Sequence, residues 1–153
     1  MDSLHDRQYA LDELMPLIRE QLGRGQSVRF SPRGTSMLPM LRQGMDSVVL
    51  SPLPERLKKY DIPLYQRKNG QYVLHRIIKT GETFVCMGDN QFAPEPGLSR
   101  GQMIGLVTAF YRGETRWEVT SLPYRVYCRV WHFSRPVRRL WRGGKSWIRR
   151  YFL

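Results

Sequence analysis

Three short segments hold the residue types that nucleophilic acyl chemistry uses. The first is Gly34-Thr35-Ser36-Met37-Leu38-Pro39. A serine between turn-forming glycine and proline can stand at a strand-to-helix bend, where successive backbone N–H groups face a developing oxyanion. Serine in such a place serves equally well as a helix cap or turn residue. The second segment is Tyr72-Val73-Leu74-His75-Arg76-Ile77-Ile78. Strand alternation puts Val73, His75 and Ile77 on one face and Tyr72, Leu74, Arg76 and Ile78 on the other. Both faces are largely apolar, so a central strand with a partly buried His75 is expected. Such an imidazole can titrate near neutrality and take a proton from Ser36, or it can simply satisfy a polar neighbour. Lys79 lies two strand steps further on and is out of position for that role. The third segment runs from Gly88-Asp89-Asn90 to Pro94-Glu95-Pro96. Gly-Asp-Asn is a turn signal in which Asp89 can bond backbone amides. Glu95 sits between two stiffening prolines. Either carboxylate could hold the second ring nitrogen of His75, as a catalytic triad requires.

The elements that must position these residues are mostly short strands between turn residues. Gln26–Ser31, Asp46–Ser51, Asp61–Arg67, Gln71–Lys79, Thr83–Gly88, Met103–Tyr111 and Thr115–Thr120 fit that pattern. Lys68-Asn69-Gly70 marks a hairpin, Asn-Gly supplying the positive φ angles of a tight turn. Arg112-Gly113 marks another. Ahead of them, Leu11, Leu14, Met15, Ile18 and Leu22 recur at helical spacing, with Gly23 as a stop. Pro16 falls inside this helix, as a kink or in its first turn. After the strands the period changes. Val126, Val130, Phe133, Val137, Leu140 and Trp141 share one helical face, arginines occupy much of the remainder, and Pro136 must kink or divide the helix. Gly143-Gly144 breaks the pattern, and Lys145–Leu153 can form a second amphipathic piece. The expected organisation is a helical segment over 1–25, a β domain over 26–120 and a basic amphipathic tail over 121–153.

Composition supports one compact domain. The chain has 153 residues, 41% hydrophobic and 12% aromatic, enough for a real core and too apolar for wholesale disorder. Its 25 basic residues against 13 acidic give +12. From Ser121 onward there are eight arginines, one lysine and no acid, so the tail alone carries +9. Two cysteines, Cys86 and Cys128, support neither a disulfide framework nor a thiolate metal site. No zinc-ligand cluster and no phosphate-binding glycine loop occur, so no metal or cofactor is implied. The N-terminal residues alternate charged with apolar and lack the core of a signal peptide, and no window is long and apolar enough for a transmembrane helix. A cytoplasmic chain, peripheral at a membrane, is expected.

Taken in order, the three segments resemble the serine peptidase superfamily that unites type I signal peptidases with the self-cleaving phage and SOS repressors. Its nucleophile box, a Gly-x-Ser-Met followed shortly by proline, is matched by Gly34-Thr35-Ser36-Met37-Leu38-Pro39. Its Gly-Asp turn into a Val-rich strand is matched by Gly44-Met45-Asp46-Ser47-Val48-Val49-Leu50, with one residue inserted. A further Gly-Asp-Ile/Val turn is matched by Tyr60-Asp61-Ile62, where tyrosine replaces glycine. The base-bearing strand is matched around His75, the Gly-Asp-Asn box by Gly88-Asp89-Asn90, and the closing strand by Gly101–Val107. The resemblance spans roughly Val28 to Tyr111. It implies a largely antiparallel, coiled β-structure, and a histidine in the base position points to the Ser-His branch rather than the lysine one. In that branch an acid follows Gly-Asp-Asn by a few residues. Counting on reaches Glu95, which makes it the implied third member, with Asp89 as its competitor. Gly34 stands where signal peptidases often carry a hydroxyl oxyanion donor, so backbone N–H groups, that of Ser36 among them, must serve. Neither the membrane anchor of signal peptidases nor the DNA-binding domain of the repressors is expected from these residues.

The function implied is a serine endopeptidase acting on a peptide or protein segment in extended form, as in signal-peptide processing. The alternative is a non-catalytic binding module on the same fold, acting through its basic tail. Phosphate neutralisation makes nucleic acid one partner for such a tail. Its arginines alternate with Trp131, Trp141, Trp147, Tyr151 and Phe152, a mixture that favours an anionic membrane surface over nucleic acid. Packing of its apolar face on the β domain is the third possibility.

Overall fold

The computed structural model describes residues 11–142. The chain divides into two compact units between Val119 and Thr120. Helix α1 (Leu11–Gly23) is followed by β1 (Val28–Phe30), β2 (Asp46–Ser51), β3 (Pro63–Gln66), β4 (Tyr72–Leu74), β5 (Arg76–Lys79), β6 (Phe84–Met87), β7 (Glu95–Leu98), β8 (Met103–Arg112) and β9 (Thr115–Glu118). Helix α2 (Leu122–Phe133) opens the second unit.

The first unit is mainly β. Its larger sheet runs β1-β2-β8-β3-β4, with β9 also paired to β8, and its smaller sheet runs β5-β6-β7. Every pairing is antiparallel. β2 shows the expected alternation, burying Asp46, Val48 and Leu50 and leaving the residues between them part-exposed. Helix α1 buries Met15, Ile18 and Leu22, the face its spacing predicts, with Pro16 inside the helix. Leu22 and Leu50 both lie against Gly105 of β8, and α1 belongs to the same compact unit as the sheets. A buried cluster of Leu57, Tyr65, Val73, Ile77, Phe84, Cys86, Leu98 and Met103 joins side chains of both sheets.

Four expectations change. The Gln71–Lys79 strand is broken at His75: β4 belongs to one sheet and β5 to the other. All five residues from Val73 to Ile77 are buried, so the alternation that put His75 on a face with Val73 and Ile77 does not apply. The break coincides with a pairing to a distant turn. Ile77 exchanges backbone hydrogen bonds with the Tyr60-Asp61 turn, its N–H donating to Asp61 O and its O accepting from Tyr60 N–H, both at 2.8 Å. Tyr60 adopts the positive φ (78°) that glycine favours.

The second change is after Ser36, where consecutive turns replace the expected helical turn. Pro39 offers no N–H and disfavours α geometry at Leu38. Third, the Lys68-Asn69-Gly70 loop does join β3 to β4, but of its residues only Gly70 has positive φ (89°). Asn69 serves instead through its side chain, Oδ1 accepting from Gln71 N–H at 3.0 Å. Fourth, the Pro-Glu-Pro segment enters a strand, β7, paired to β6.

In the second unit a turn at Ser134 follows α2, and residues 135–142 are again helical. Pro136 thus divides the helix as expected. Arg138 spans the division: Nη2 donates to Trp131 O at 2.6 Å, and the guanidinium stacks 3.6 Å over the Trp131 ring. The Gly143-Gly144 break and the Lys145–Leu153 piece, with Trp147, Tyr151 and Phe152, lie outside the described residues. Among the described residues no helix is long and apolar enough to cross a membrane.

Candidate active site

A cleft of about 390 Å³ in the first unit is lined by both Ser36 and His75. Leu11 and Leu14 of α1, Phe30 of β1 and Val73 of β4 supply apolar walls.

Ser36 rides on a turn that is tied at many points. Gly34 N–H donates to Gln43 Oε1 at 2.9 Å, and Arg112 Nη2 donates to Met40 O at 2.9 Å. Fully buried Asp46 accepts from Arg42 N–H and from the Arg42 guanidinium. Met37, Met40 and Leu41 are buried beneath. The Gly88-Asp89-Asn90 loop closes the assembly. Asn90 N–H donates to Ser36 O at 2.8 Å, and Asn90 Nδ2 donates to Thr35 O at 3.1 Å. The approach requires glycine at position 88, because a Cβ there would fall 2.5 Å from Ser36 O. The Ser36 N–H has no acceptor among the described residues, which leaves it available to an incoming oxyanion.

His75, only 4% exposed, sits at the joint between the sheets. Its Nδ1 is 3.2 Å from the Tyr65 hydroxyl, which donates to Glu95 Oε2 at 2.8 Å. Arg67 in turn grips Glu95 with two hydrogen bonds, Nε to Oε1 at 2.8 Å and Nη2 to Oε2 at 2.7 Å. The protons of this chain can be assigned. Hydrogen bonds from Arg67 hold the Glu95 carboxyl below its ordinary pKa, so it only accepts. Burial, and then the bond to Glu95, raise the Tyr65 pKa, so the phenol keeps its proton and spends it on Glu95. Tyr65 can then only accept from His75, which fixes the imidazole as the Nδ1–H tautomer and leaves Nε2 as its acceptor. Burial first, and the Arg67 charge second, push the His75 pKa down to about 4. The ring is therefore neutral at pH 7.

This depressed pKa has a stability consequence. The unfolded chain binds a proton at His75 below about pH 6.5, and the folded chain does so only near pH 4. The His75 contribution is thus fully present above pH 6.5 and is lost as pH falls to about 4, by on the order of 2–3 kcal/mol. Denaturant titrations at pH 7 and pH 4 check this, with His75→Phe expected to flatten the difference.

The two acids that sequence offers as alternative partners of His75 both bond to other groups. Glu95 reaches the ring only through the Tyr65 hydroxyl. Asp89 faces Arg76 in a buried ion pair, Oδ1 accepting from Nε and Oδ2 from Nη2, both at 2.8 Å. Neither is a direct hydrogen-bond partner of the imidazole; the phenol of Tyr65 is. No hydrogen bond joins Ser36 Oγ to His75. Tyr65 and Arg67 are not singled out by the sequence. The hairpin at Lys68-Asn69-Gly70 was the available signal, since it folds the Tyr65 strand back against the segment leading to His75. Among the described residues no group of three or more His, Cys, Asp or Glu is placed to hold a metal ion.

No family model matches the chain. One curated relative, the "Bifunctional protein FolD" of Erythrobacter litoralis, is 32% identical over 71 residues, which is 46% of this chain. The match spans 24% of that protein's length.

Proposed function

We propose that this chain is a serine endopeptidase in which Ser36 is the nucleophile, His75 Nε2 the general base and Tyr65 the group that orients the base. The reading is supported by the shared cleft, which Ser36 and His75 both line, and by the Tyr65 bond that leaves the second ring nitrogen of His75 as an acceptor. Ser36 Oγ adds to the scissile carbonyl carbon while its proton passes to Nε2. The oxyanion meets the Ser36 N–H. The C–N bond then breaks, Nε2 returns the proton to the departing amine, and water releases the acyl group by the same route. Hydrogen bonds of this kind commonly tighten only with substrate in place. β1 and β4, the two ends of the larger sheet, both line the cleft, and an extended peptide can pair with such edges.

Tyr65 is a positioning residue. Tyr65→Phe removes the acceptor for Nδ1–H and lets the ring move its proton to Nε2, where it cannot serve as base. Hydrolysis should fall on the order of 100-fold or more. ¹⁵N spectra of the imidazole should show the tautomer mixture change, a signature that a packing defect alone would not produce.

The activity itself is tested with a mixture of unstructured peptides, the cleaved bonds being read by mass spectrometry. Cleavage by the wild type that disappears in Ser36→Ala is expected. The same cleavages in both proteins would rule out Ser36 as nucleophile, and no cleavage by either would favour the non-catalytic binding module.

A further inference from the structure

The second unit carries an apolar ridge that is open to solvent. Val126, Val130, Phe133, Val137, Leu140 and Trp141 are 49–77% exposed. The i→i−4 hydrogen bonds Ser134 N–H to Val130 O and Arg138 N–H to Ser134 O carry helical phase across the turn at Ser134. At roughly 100° per residue the six side chains therefore fall within one arc of about 100°. The two buried side chains of α2, Tyr124 and Cys128, lie on the opposite side. Arg125, Arg129 and Arg139 follow along one margin of the ridge and make no ion pair with a described residue. No acid occurs from Ser121 onward.

We infer that this ridge docks on an anionic lipid bilayer, the helices lying in the plane of the surface without crossing it. The occupant is selected by the two features together. Aliphatic and aromatic side chains gain by entering the headgroup–acyl boundary, and arginines at the margin stay level with the phosphates. Nucleic acid would satisfy the arginines and leave the ridge in water. A second copy would bring a +9 segment against another +9 segment. The inference is independent of the peptidase reading.

Co-sedimentation of the full chain with phosphatidylcholine vesicles, with and without phosphatidylglycerol, tests it across a salt series. Binding should need phosphatidylglycerol, and should weaken with salt without vanishing, because salt does not screen the apolar contribution. Arg125→Gln/Arg129→Gln should weaken it about 30-fold. Phe133→Ser/Leu140→Ser should weaken it by roughly 100-fold or more. Both variants change exposed side chains, and unaltered circular dichroism verifies that they fold. No sedimentation at low salt overturns the inference, whether the chain then retains an oligonucleotide or doubles in mass. Wild-type binding by Phe133→Ser/Leu140→Ser overturns it equally.

Discussion

His75→Ala should lower peptide hydrolysis by on the order of 10³–10⁶, the range over which loss of one member of a serine–base unit acts. Nδ1–H is committed to Tyr65, so Nε2 is the ring's acceptor, and nothing else identified in the cleft replaces it. The fold should survive. The flanking chain is held by the Arg76–Asp89 pair and by the Ile77 bonds to the Tyr60-Asp61 turn, none of which uses the imidazole. Circular dichroism and turnover measured on the same preparation separate the two effects. In the wild type the acid limb of the rate profile should lie near pH 4 rather than near 6.5, since the folded ring protonates only there.

The largest stability loss is expected at Asp89. Asp89→Asn preserves shape but leaves the Arg76 guanidinium without its counter-charge where the two side chains are 3% and 2% exposed. Breaking a buried pair from one side costs about 3–5 kcal/mol. That is a large part of the 5–15 kcal/mol typical of a whole domain. A simple turn residue would cost only about 1 kcal/mol. Denaturant midpoints for Asp89→Asn and for the doubly apolar Arg76→Met/Asp89→Leu check this, the second expected to recover much of the loss. A loss near 1 kcal/mol for Asp89→Asn would return Asp89 to the role of an ordinary turn residue.

The strands are legible where alternation and turn chemistry agree, as in β2 and in the Arg112-Gly113 hairpin between β8 and β9. Helix α1 is legible from apolar spacing alone. The break at His75 is not, because alternation presumes one continuous strand, and the pairing of Ile77 with a turn fifteen or more positions earlier is not encoded locally. The Gly-Asp-Asn segment was legible as a turn. Its use, clamping Thr35 and Ser36 through Asn90 while Asp89 anchors Arg76, depends on contacts between distant parts of the chain. Glu95 lies one hydrogen bond beyond the ring, and the phenol between them is not legible in the sequence. Tyrosine in a strand reads as core, and only the folded arrangement shows its hydroxyl between a ring nitrogen and a carboxylate. In the tail the amphipathic face was legible, whereas its exposure could not be read from periodicity, which gives the same pattern for a buried face.

The most direct test of the Ser36–His75 site is reaction with a fluorophosphonate probe, read by intact mass and peptide mapping at pH 7. A single adduct on Ser36 in the wild type, absent from Ser36→Ala and from folded His75→Ala, is the predicted result. An adduct on another residue, or equal labelling of Ser36 in His75→Ala, would contradict the pairing of nucleophile and base.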